Sequence, residues 1–331
     1  MNIPLLSHLR SAGDRFVPLG ELGDDLDRVR SDLAEFEAFG FGIERHPYLG
    51  AAYRGPAERL CPDQIEHELD ARHVGRRIAV WNRVSSTNDL ATRASASSAN
   101  DGLVVLAEEQ TSGRGRHGRT WSAPPRSSLL MSVLLFPSDL LISNGWLTAL
   151  GAVATAEVVA AWTSLETRIK WPNDVRVGGR KIAGVLVERG AGAVIGIGLN
   201  ANLTLDDLTP DLQKTATSLR ILTGQPVDRS ELARRLIARL DHWYALGHST
   251  GAQSLGRRWR DLSEHLGQVV RVNTPAGEAI GHLVDIDLTR GITLSPRGRA
   301  PAQIAAVDIL SLAPLDHSPG VHKLETPPGN W

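Results

Sequence analysis

The chain has 331 residues, a hydrophobic fraction of 42% and a formal net charge of -1, which allows two or three packed domains. The balanced charge excludes a protein whose whole surface binds nucleic acid, so any cationic chemistry must be local. The single cysteine, Cys61, excludes an intramolecular disulfide. Because neither a zinc-type Cys/His cluster, a signal peptide nor a membrane-length apolar run is evident, we expect a cytoplasmic protein without a membrane partner.

Residues 1–68 predict three helices followed by a pair of short strands around Gly50, the outline of a winged helix-turn-helix domain. Apolar side chains recur at helical spacing in the third helix, at Val29, Leu33, Phe36 and Phe39. The segment carries seven arginines and no lysine against thirteen acidic residues, a net charge of -6. Because counterion release gives no affinity to such a surface, we favour packing or dimer support over DNA binding, which remains the alternative.

A new sheet is expected to begin near residues 78–81, after a polar connecting segment at 62–75 that we expect to be helical. Ser85, Ser86, Thr87 and Asn88 then lie between a strand and a helical stretch. Taken alone, this hydroxyl cluster is most simply a helix cap.

Residues 110–121 form a loop rich in arginine and glycine between two apolar strands, 103–107 and 129–136. Arginines alternate with glycines through this loop, at Gly113, Arg114, Gly115, Arg116, Gly118 and Arg119. The glycines permit tight turns while the guanidinium groups converge, so the loop is suited to an anion. A solvated basic loop or an RNA-binding segment remains the alternative.

The apolar run 147–162 predicts a buried helix, and residues 168–200 then predict short strands. Lys170 precedes Trp171, Pro172, Asn173 and Asp174, where an extended residue is followed by a turn. Two further strands, 181–188 and 193–200, carry glycines that would let a ligand approach the sheet, at Gly184, Gly196 and Gly198.

The rest of the chain predicts a helix at 229–247 and then, over 269–312, about five short strands separated by Gly and Pro turns. From residue 315 onward no periodicity is evident, and we expect a disordered tail.

Taken together and in this order, the motifs at 85–88, 113–119, 170–174, 179–184 and 196–200 resemble the biotin protein ligase family. The resemblance implies an α+β fold of the class II synthetase-like type, in which a mixed sheet is flanked by helices. It also implies three domains and a tail: a winged-helix domain (1–68), the catalytic domain (69–265), an SH3-like barrel (266–314) and the tail (315–331).

The resemblance further implies roles for particular residues, with Lys181 and Arg116 as the catalytic pair. Biotin would be bound by Ser86, Thr87, Asn88, Gln110, Gly113, Arg114, Gly115, Arg116, Lys181, Gly184 and Gly196. ATP would be bound by Arg114, Arg116, Arg119, Trp121, Lys170, Asn173, Asp174 and Asn200. Asp174 would also be a ligand of Mg²⁺. No aromatic side chain is present at 215–218, where some relatives cover the adenine with tryptophan.

The implied activity is the ATP-dependent formation of biotinyl-5'-AMP and transfer of biotin to a lysine of a biotin carboxyl carrier domain of acetyl-CoA carboxylase. The implied assembly is a homodimer. The alternatives are a lipoate or octanoate protein ligase, which shares the acyl-adenylating chemistry, and a transcriptional repressor that senses biotinyl-AMP.

Overall fold

The computed structural model describes residues 1–137, 142–247, 252–287, 290–296, 298 and 300–315. The chain divides into two compact units, 1–264 and 265–331. The tail that the sequence predicts to be disordered lies outside the described residues, apart from Leu315.

The first unit begins with three helices and an antiparallel strand pair, in the predicted order. These are α1 (Ile3–Ser11), α2 (Leu19–Leu22), α3 (Leu26–Phe39), β1 (Gly42–His46) and β2 (Gly50–Gly55). The Asp25 carboxylate caps α3 by accepting two backbone N–H groups, and Gly40 ends it with a φ of 112°. The buried face of α3, including Leu33 and Phe36, packs in one core with Leu6 and Leu9 of α1.

The connecting segment forms a helix only at α4 (Pro62–Glu66), whereas the sequence predicts a longer one over 62–75. The segment that follows is anchored instead by Asp241, whose carboxylate accepts backbone N–H groups from Arg72, His73 and Val74. Three backbone donors are thereby satisfied without helical hydrogen bonds.

A mixed sheet forms the centre of the first unit, as predicted, and it has seven strands. Its elements in chain order are β3 (Arg77–Val84), α5 (Thr87–Ala94), β4 (Leu103–Gln110), β5 (Ser128–Leu135), α6 (Asn144–Thr163), β6 (Thr167–Lys170), β7 (Asp174–Val177), β8 (Arg180–Arg189) and β9 (Ala193–Asn200). The strand order is β3-β4-β5-β9-β8-β7-β6, in which β3 and β4 are parallel and all other neighbours antiparallel. Four helices follow: α7 (Pro210–Thr215), α8 (Leu219–Thr223), α9 (Arg229–Leu246) and α10 (Ala252–Asp261).

One face of this sheet is covered by α6. A Cβ atom on Gly151 would lie 2.8 Å from Val185 Cγ1 and 3.2 Å from Ile195 Cγ2, so helix and sheet pack closely there. By length and composition α6 could cross a membrane, since its most apolar 18-residue stretch has a mean hydropathy of 1.3. However, 67% of that stretch is buried inside the fold. It is the core helix that the sequence predicts at 147–162.

The opposite face is covered only in part. The short helix α5 packs there through Ala91, which shares a buried cluster with Val105, Leu134 and Val194. Successive residues of a strand face opposite sides, so the glycines that alternate with Val185 and Ile195 point toward this second face.

The second unit contains a five-stranded antiparallel sheet, the number of strands that the sequence predicts. Its strands are β10 (Val269–Thr274), β11 (Gly277–Asp287), β12 (Gly291–Ser295), β13 (Ala302–Ile304) and β14 (Ser311–Pro314), in the order β13-β12-β11-β10-β14. Val270, Val272, Leu283, Ile292 and Leu294 are buried in its core.

Candidate active site

The candidate site lies on the sheet face that α6 does not cover. Strand pairing aligns four residues across β9, β8, β7 and β6, with Gly198 opposite Gly184, Gly184 opposite Asp174, and Asp174 opposite Lys170. Directly opposed residues in a sheet project from the same face. The register therefore places a carboxylate and an amine beside two glycines, and these four residues are here called the row.

The loop between β4 and β5, residues 111–121, is here called the arginine loop. Its two limbs are joined by backbone hydrogen bonds, from Gly115 N to Arg119 O at 2.7 Å and from Trp121 N to Gly113 O at 2.9 Å. A Cβ atom on Gly113 would lie 2.4 Å from Trp121 O. Glycine is required there because only a residue without a side chain lets the limbs approach so closely.

Trp121, at the end of the arginine loop, covers the glycines of the row. A Cβ atom on Gly198 would lie 2.5 Å from Trp121 Cε2, and one on Gly184 would lie 3.4 Å from Trp121 Cζ3. The Lys181 amine is 5.6 Å from the centre of the indole ring, within cation–π range, and 2.7 Å from Asp174 Oδ1. The sequence assigns the space at these glycines to a ligand, whereas a side chain of the protein occupies it.

A buried polar cluster lies at the beginning of α5. Gln110 Oε1 accepts hydrogen bonds from Thr87 N at 2.7 Å and Thr87 Oγ1 at 3.0 Å. The Ser132 hydroxyl lies 2.7 Å from Thr87 Oγ1 and 2.6 Å from Asn88 Oδ1. These hydrogen bonds bring three residues that the sequence predicts as biotin ligands, Thr87, Asn88 and Gln110, into one cluster. Ser86, the residue before Thr87, is also buried, as are Thr87 and Asn88.

Arg114 contacts two carboxylates. Its Nη1 atom is 2.7 Å from Asp89 Oδ1, and its Nη2 atom is 3.1 Å from Glu188 Oε2. Hydrogen bonding to Glu188 raises the pKa of Arg114. Burial alone would raise the pKa of Asp89, but hydrogen bonds from Arg114 and Ser85 hold the pKa of this carboxyl below its ordinary value. Arg114 is thus neutralised by the protein, and its predicted role as a biotin and ATP ligand stays a prediction.

Arg116 and Lys170, by contrast, have no carboxylate partner among the described residues. Arg116 Nη1 is 3.5 Å from Asn173 Oδ1, at the limit of a hydrogen bond. Burial lowers the pKa of both cations, and the nearby charge of Arg176 lowers the pKa of Lys170 further. The charge of Asp174 raises both pKa values and offsets only part of this effect. Two partly desolvated cations without a direct ion pair favour binding of an external anion.

The two asparagines predicted to bind ATP are held by the backbone. Asn173 Nδ2 donates to Val185 O at 2.9 Å, and Asn200 Nδ2 donates to Thr217 O at 3.0 Å. Thr217 N in turn donates to Lys181 O at 2.8 Å. Asn200 therefore ties the segment around residue 217 to the sheet, and nucleotide contacts by either asparagine stay predictions.

Comparison with known proteins agrees with this geometry. Residues 80–200 match the Biotin/lipoate A/B protein ligase family. The chain is 35% identical over 267 residues to the biotin--[acetyl-CoA-carboxylase] ligase of Mycobacterium tuberculosis, covering 77% of this chain and 98% of that relative. This chain belongs to the biotin protein ligase family. The ligase is also similar to the bifunctional ligase/repressor BirA of Bacillus spizizenii, at 28% identity over 92% of this chain and 97% of the relative.

Solved structures show the same fold. The Aquifex aeolicus biotin protein ligase in complex with biotin and ATP superposes with a TM-score of 0.64 at 24% identity, covering 72% of this chain and all of the other. At that identity the similarity concerns the fold of the ligase.

Three residues of the candidate site are absent from the sequence-based prediction: Ser132, Asp89 and Glu188. Ser132 could have been recognised from the sequence, because it is a hydroxyl residue within an apolar strand, and buried hydroxyl groups need hydrogen-bond partners. The strand, β5, is fully buried. Glu188 follows an apolar stretch of β8, and its partner Arg114 is 74 residues away, so sequence spacing gives no indication of the pair.

The described residues contain no group of three or more His, Cys, Asp or Glu side chains that could hold a metal ion. Asp174, the predicted Mg²⁺ ligand, has Oδ1 engaged by Lys181. Because Mg²⁺ is often bound by one or two carboxylates together with substrate phosphates, Asp174 fits a shared ligand better than part of a protein cage.

Proposed function

We propose that the sheet face that α6 does not cover is where this biotin protein ligase joins biotin and ATP into biotinyl-5'-AMP. Biotin is then transferred to a carrier-domain lysine. The observation that supports this most directly is the convergence of Arg116, Lys170 and Lys181. They come from the arginine loop, β6 and β8, and Asp174 links two of them, opposite Lys170 in the sheet and 2.7 Å from the Lys181 amine.

The polar cluster at the beginning of α5 suits the ring of biotin. A ureido group presents two N–H donors and a carbonyl acceptor, which need buried hydrogen-bonding partners of the opposite kind. Ser86, Thr87, Asn88 and Gln110 supply hydroxyl and amide groups of both kinds and are buried or nearly so. Since a site built from such groups rejects analogues that leave them unpaired, this cluster also favours biotin over lipoate or octanoate.

The chemistry requires two anions to meet. The biotin carboxylate oxygen attacks the α-phosphorus of ATP, the bond to pyrophosphate breaks, and pyrophosphate leaves. Preorganised cations lower the repulsion and stabilise the charge of the transition state, usually the largest catalytic contribution. In the second step the lysine amine attacks the acyl carbon and AMP leaves, so no nucleophile of the ligase is required.

The nucleotide would extend from the row toward Lys170, with Arg114, Arg116, Arg119, Asn173, Asp174 and Asn200 as the proposed contacts. Trp121, which packs against Gly198 and Gly184, offers an indole ring beside the row. Asp174 would share Mg²⁺ with phosphate oxygens, and the cation would neutralise phosphate charge.

Replacement of Lys181 tests the proposal. Lys181→Ala should lower biotin-dependent exchange of labelled pyrophosphate into ATP by about 100-fold or more, because it removes a cation aimed at the developing charge. Lys214→Ala is the matched control, since Lys214 is exposed and forms an ion pair with Asp211 at 3.7 Å. Wild-type exchange rates in Lys181→Ala would exclude the proposed role, and exchange supported by lipoate or octanoate but not biotin would favour the lipoate ligase alternative.

We also propose that the carrier protein of acetyl-CoA carboxylase is the acceptor, that the ligase is a homodimer, and that its domains divide as the sequence predicts, near residues 68 and 265. Light scattering during size-exclusion chromatography, with and without biotin and ATP, measures the assembly. Incorporation of labelled biotin into a purified carrier domain measures the transfer, and an acceptor whose target lysine is replaced by arginine is the control.

A repressor function is the second candidate, because the similarity to a ligase/repressor covers 92% of this chain. The exposed surface of α3 opposes it, since Asp27, Glu35 and Glu37 lie there and Glu37 is paired with Arg45 at 2.8 Å. We expect no salt-dependent binding of duplex DNA in fluorescence anisotropy titrations between about 50 and 200 mM salt. A steep salt dependence that appears with biotin and ATP would support the repressor instead.

A further inference from the structure

Glu188 lies where the arginine loop meets the polar cluster. Its Oε2 atom accepts a hydrogen bond from Asn88 Nδ2 at 2.7 Å, and the same carboxylate receives Arg114 Nε at 3.3 Å and Nη2 at 3.1 Å. On the other side of Arg114, Asp89 is held by Ser85 Oγ at 2.9 Å. One arginine of the loop is thus joined to α5 and to β8 at once.

We propose that Glu188 is a positioning residue for the biotin-ring pocket, and that Arg114, Asp89 and Glu188 form a latch that fixes the arginine loop to that pocket. This inference rests on the proposed function of the site. Glu188 bonds to Asn88 and Arg114, so its effect on the reaction would be transmitted through these two side chains.

The orientation of the Asn88 amide supports this role. Because Nδ2 donates to Glu188, Oδ1 must face the Ser132 hydroxyl, 2.6 Å away. A Cβ atom on Gly196 would lie only 2.3 Å from Asn88 Oδ1, so the amide lies directly against the backbone of β9. The Ser132 hydroxyl can donate or accept and so does not by itself fix the orientation of the amide, whereas a carboxylate can only accept. The carboxylate is the group that selects one orientation of the amide and hence which hydrogen-bonding group it presents.

The charges around Arg114 and Arg116 indicate that these two arginines of the loop have different functions. Arg114 meets two carboxylates, whereas Arg116 meets none among the described residues. An arginine already paired with two anions attracts a phosphate less strongly than one without such partners, so the latch leaves Arg116 more available to the substrates than Arg114 is. Loss of Glu188 should therefore weaken biotin binding more than ATP binding.

The test compares Glu188→Gln with Glu109→Gln in the full-length ligase. Glutamine keeps the shape of Glu188 but brings an amide donor toward the donors of Asn88 and Arg114. We expect the KM for biotin in pyrophosphate exchange to rise about tenfold, as for loss of one charge-assisted hydrogen bond, with the KM for ATP nearly unchanged. Glu109, which pairs with Arg83 at 3.1 Å outside the cluster, is the matched control and should leave both constants unchanged.

A second measurement follows the loop without any substrate. Amide hydrogen exchange across residues 111–121 should be faster in Glu188→Gln than in Glu109→Gln, and Asp89→Asn should show a smaller increase. Arg114→Gln combined with Glu188→Gln should raise the KM for biotin by less than the product of the single effects, since both changes break one latch.

The outcomes separate the latch from the function. The latch would be overturned if Glu188→Gln left both the KM for biotin and the hydrogen exchange of the loop unchanged. It would also be overturned if both KM values rose equally and the melting temperature fell, because that result indicates a merely structural role. A wild-type protein inactive with biotin would overturn the proposed function, and loop exchange would still decide whether Glu188 fixes the loop.

Discussion

Lys170 is an amine whose charge the surrounding protein opposes. Burial and the neighbouring guanidinium of Arg176 lower its pKa below the ordinary lysine value of 10.5, and Asp174 and Glu264 offset only part of this. A bound phosphate would add a negative charge beside the amine and favour the protonated form. Lys170 is therefore suited to bind the nucleotide, but only while it is protonated.

The sign of the resulting pH dependence follows directly. As pH rises through the lowered pKa, Lys170 loses its proton and ATP loses a cationic partner. We expect kcat/KM for ATP in wild-type ligase to decline on the alkaline side below pH 10.5, by up to about tenfold per pH unit. Lys170→Arg should move this decline to higher pH, because a guanidinium remains charged throughout that range.

Lys214→Arg is the control for this profile, since Lys214 is exposed. The rates are measured by pyrophosphate exchange at subsaturating ATP, with stability checked at each pH by circular dichroism. An alkaline decline that Lys170→Arg leaves in place would assign the titration to another group.

At the scale of single elements, the glycines of β8 and β9 have different neighbours. A Cβ atom on Gly196 would meet Asn88 Oδ1 at 2.3 Å, and one on Gly198 would meet Trp121 Cε2 at 2.5 Å. On Gly184 it would meet the flexible end of Lys181, at 3.2 Å. The cost of a methyl group depends on whether the neighbour can move.

Three alanine substitutions should therefore differ in effect. We expect Gly196→Ala to raise the KM for biotin about tenfold or more by displacing Asn88, and Gly198→Ala to lower kcat by displacing Trp121 from the row. Gly184→Ala should change either constant less than about threefold, because the lysine end can shift. Steady-state pyrophosphate exchange measures all three, and equal effects at the three positions would contradict these assignments.

These strands also show what sequence can predict. The glycines, the arginine loop and the Lys170–Asp174 turn were recognisable, and the mixed sheet with flanking helices was predicted correctly. A missing side chain, however, indicates only that something lies close, so Asn88 and Trp121 as the neighbours of Gly196 and Gly198 required the structure. Likewise, the residue type of Arg114 predicts a cation but not its pairing with Glu188.

Across the whole first unit, the acidic N-terminal segment is joined to the ligase sheet by a buried polar seam. Arg229 of α9 lies 2.6 Å from Glu108 Oε2 and 3.3 Å from Ser128 O, and also donates to Glu58 O. Glu108 Oε1 accepts Leu60 N at 2.6 Å. Since Glu108 lies near the end of β4 and Ser128 begins β5, the seam holds both strands from which the arginine loop emerges.

Removal of Arg229 should destabilise the first unit strongly. The side chains of Arg229 and Glu108 are only 3% and 7% exposed, so Arg229→Ala leaves a buried carboxylate without its partner, at a cost of about 3–5 kcal/mol. Arg126→Ala is the matched control, because the Arg126–Glu58 pair is 3.6 Å apart and largely exposed and should contribute at most about 1 kcal/mol. Urea unfolding followed by tryptophan fluorescence measures both.

Arg229→Met combined with Glu108→Leu should recover part of the lost stability, since no buried charge remains. It should not recover all of it, because Leu60 N would lack its acceptor. Equal urea midpoints for Arg229→Ala and Arg126→Ala would show that the seam contributes little to stability.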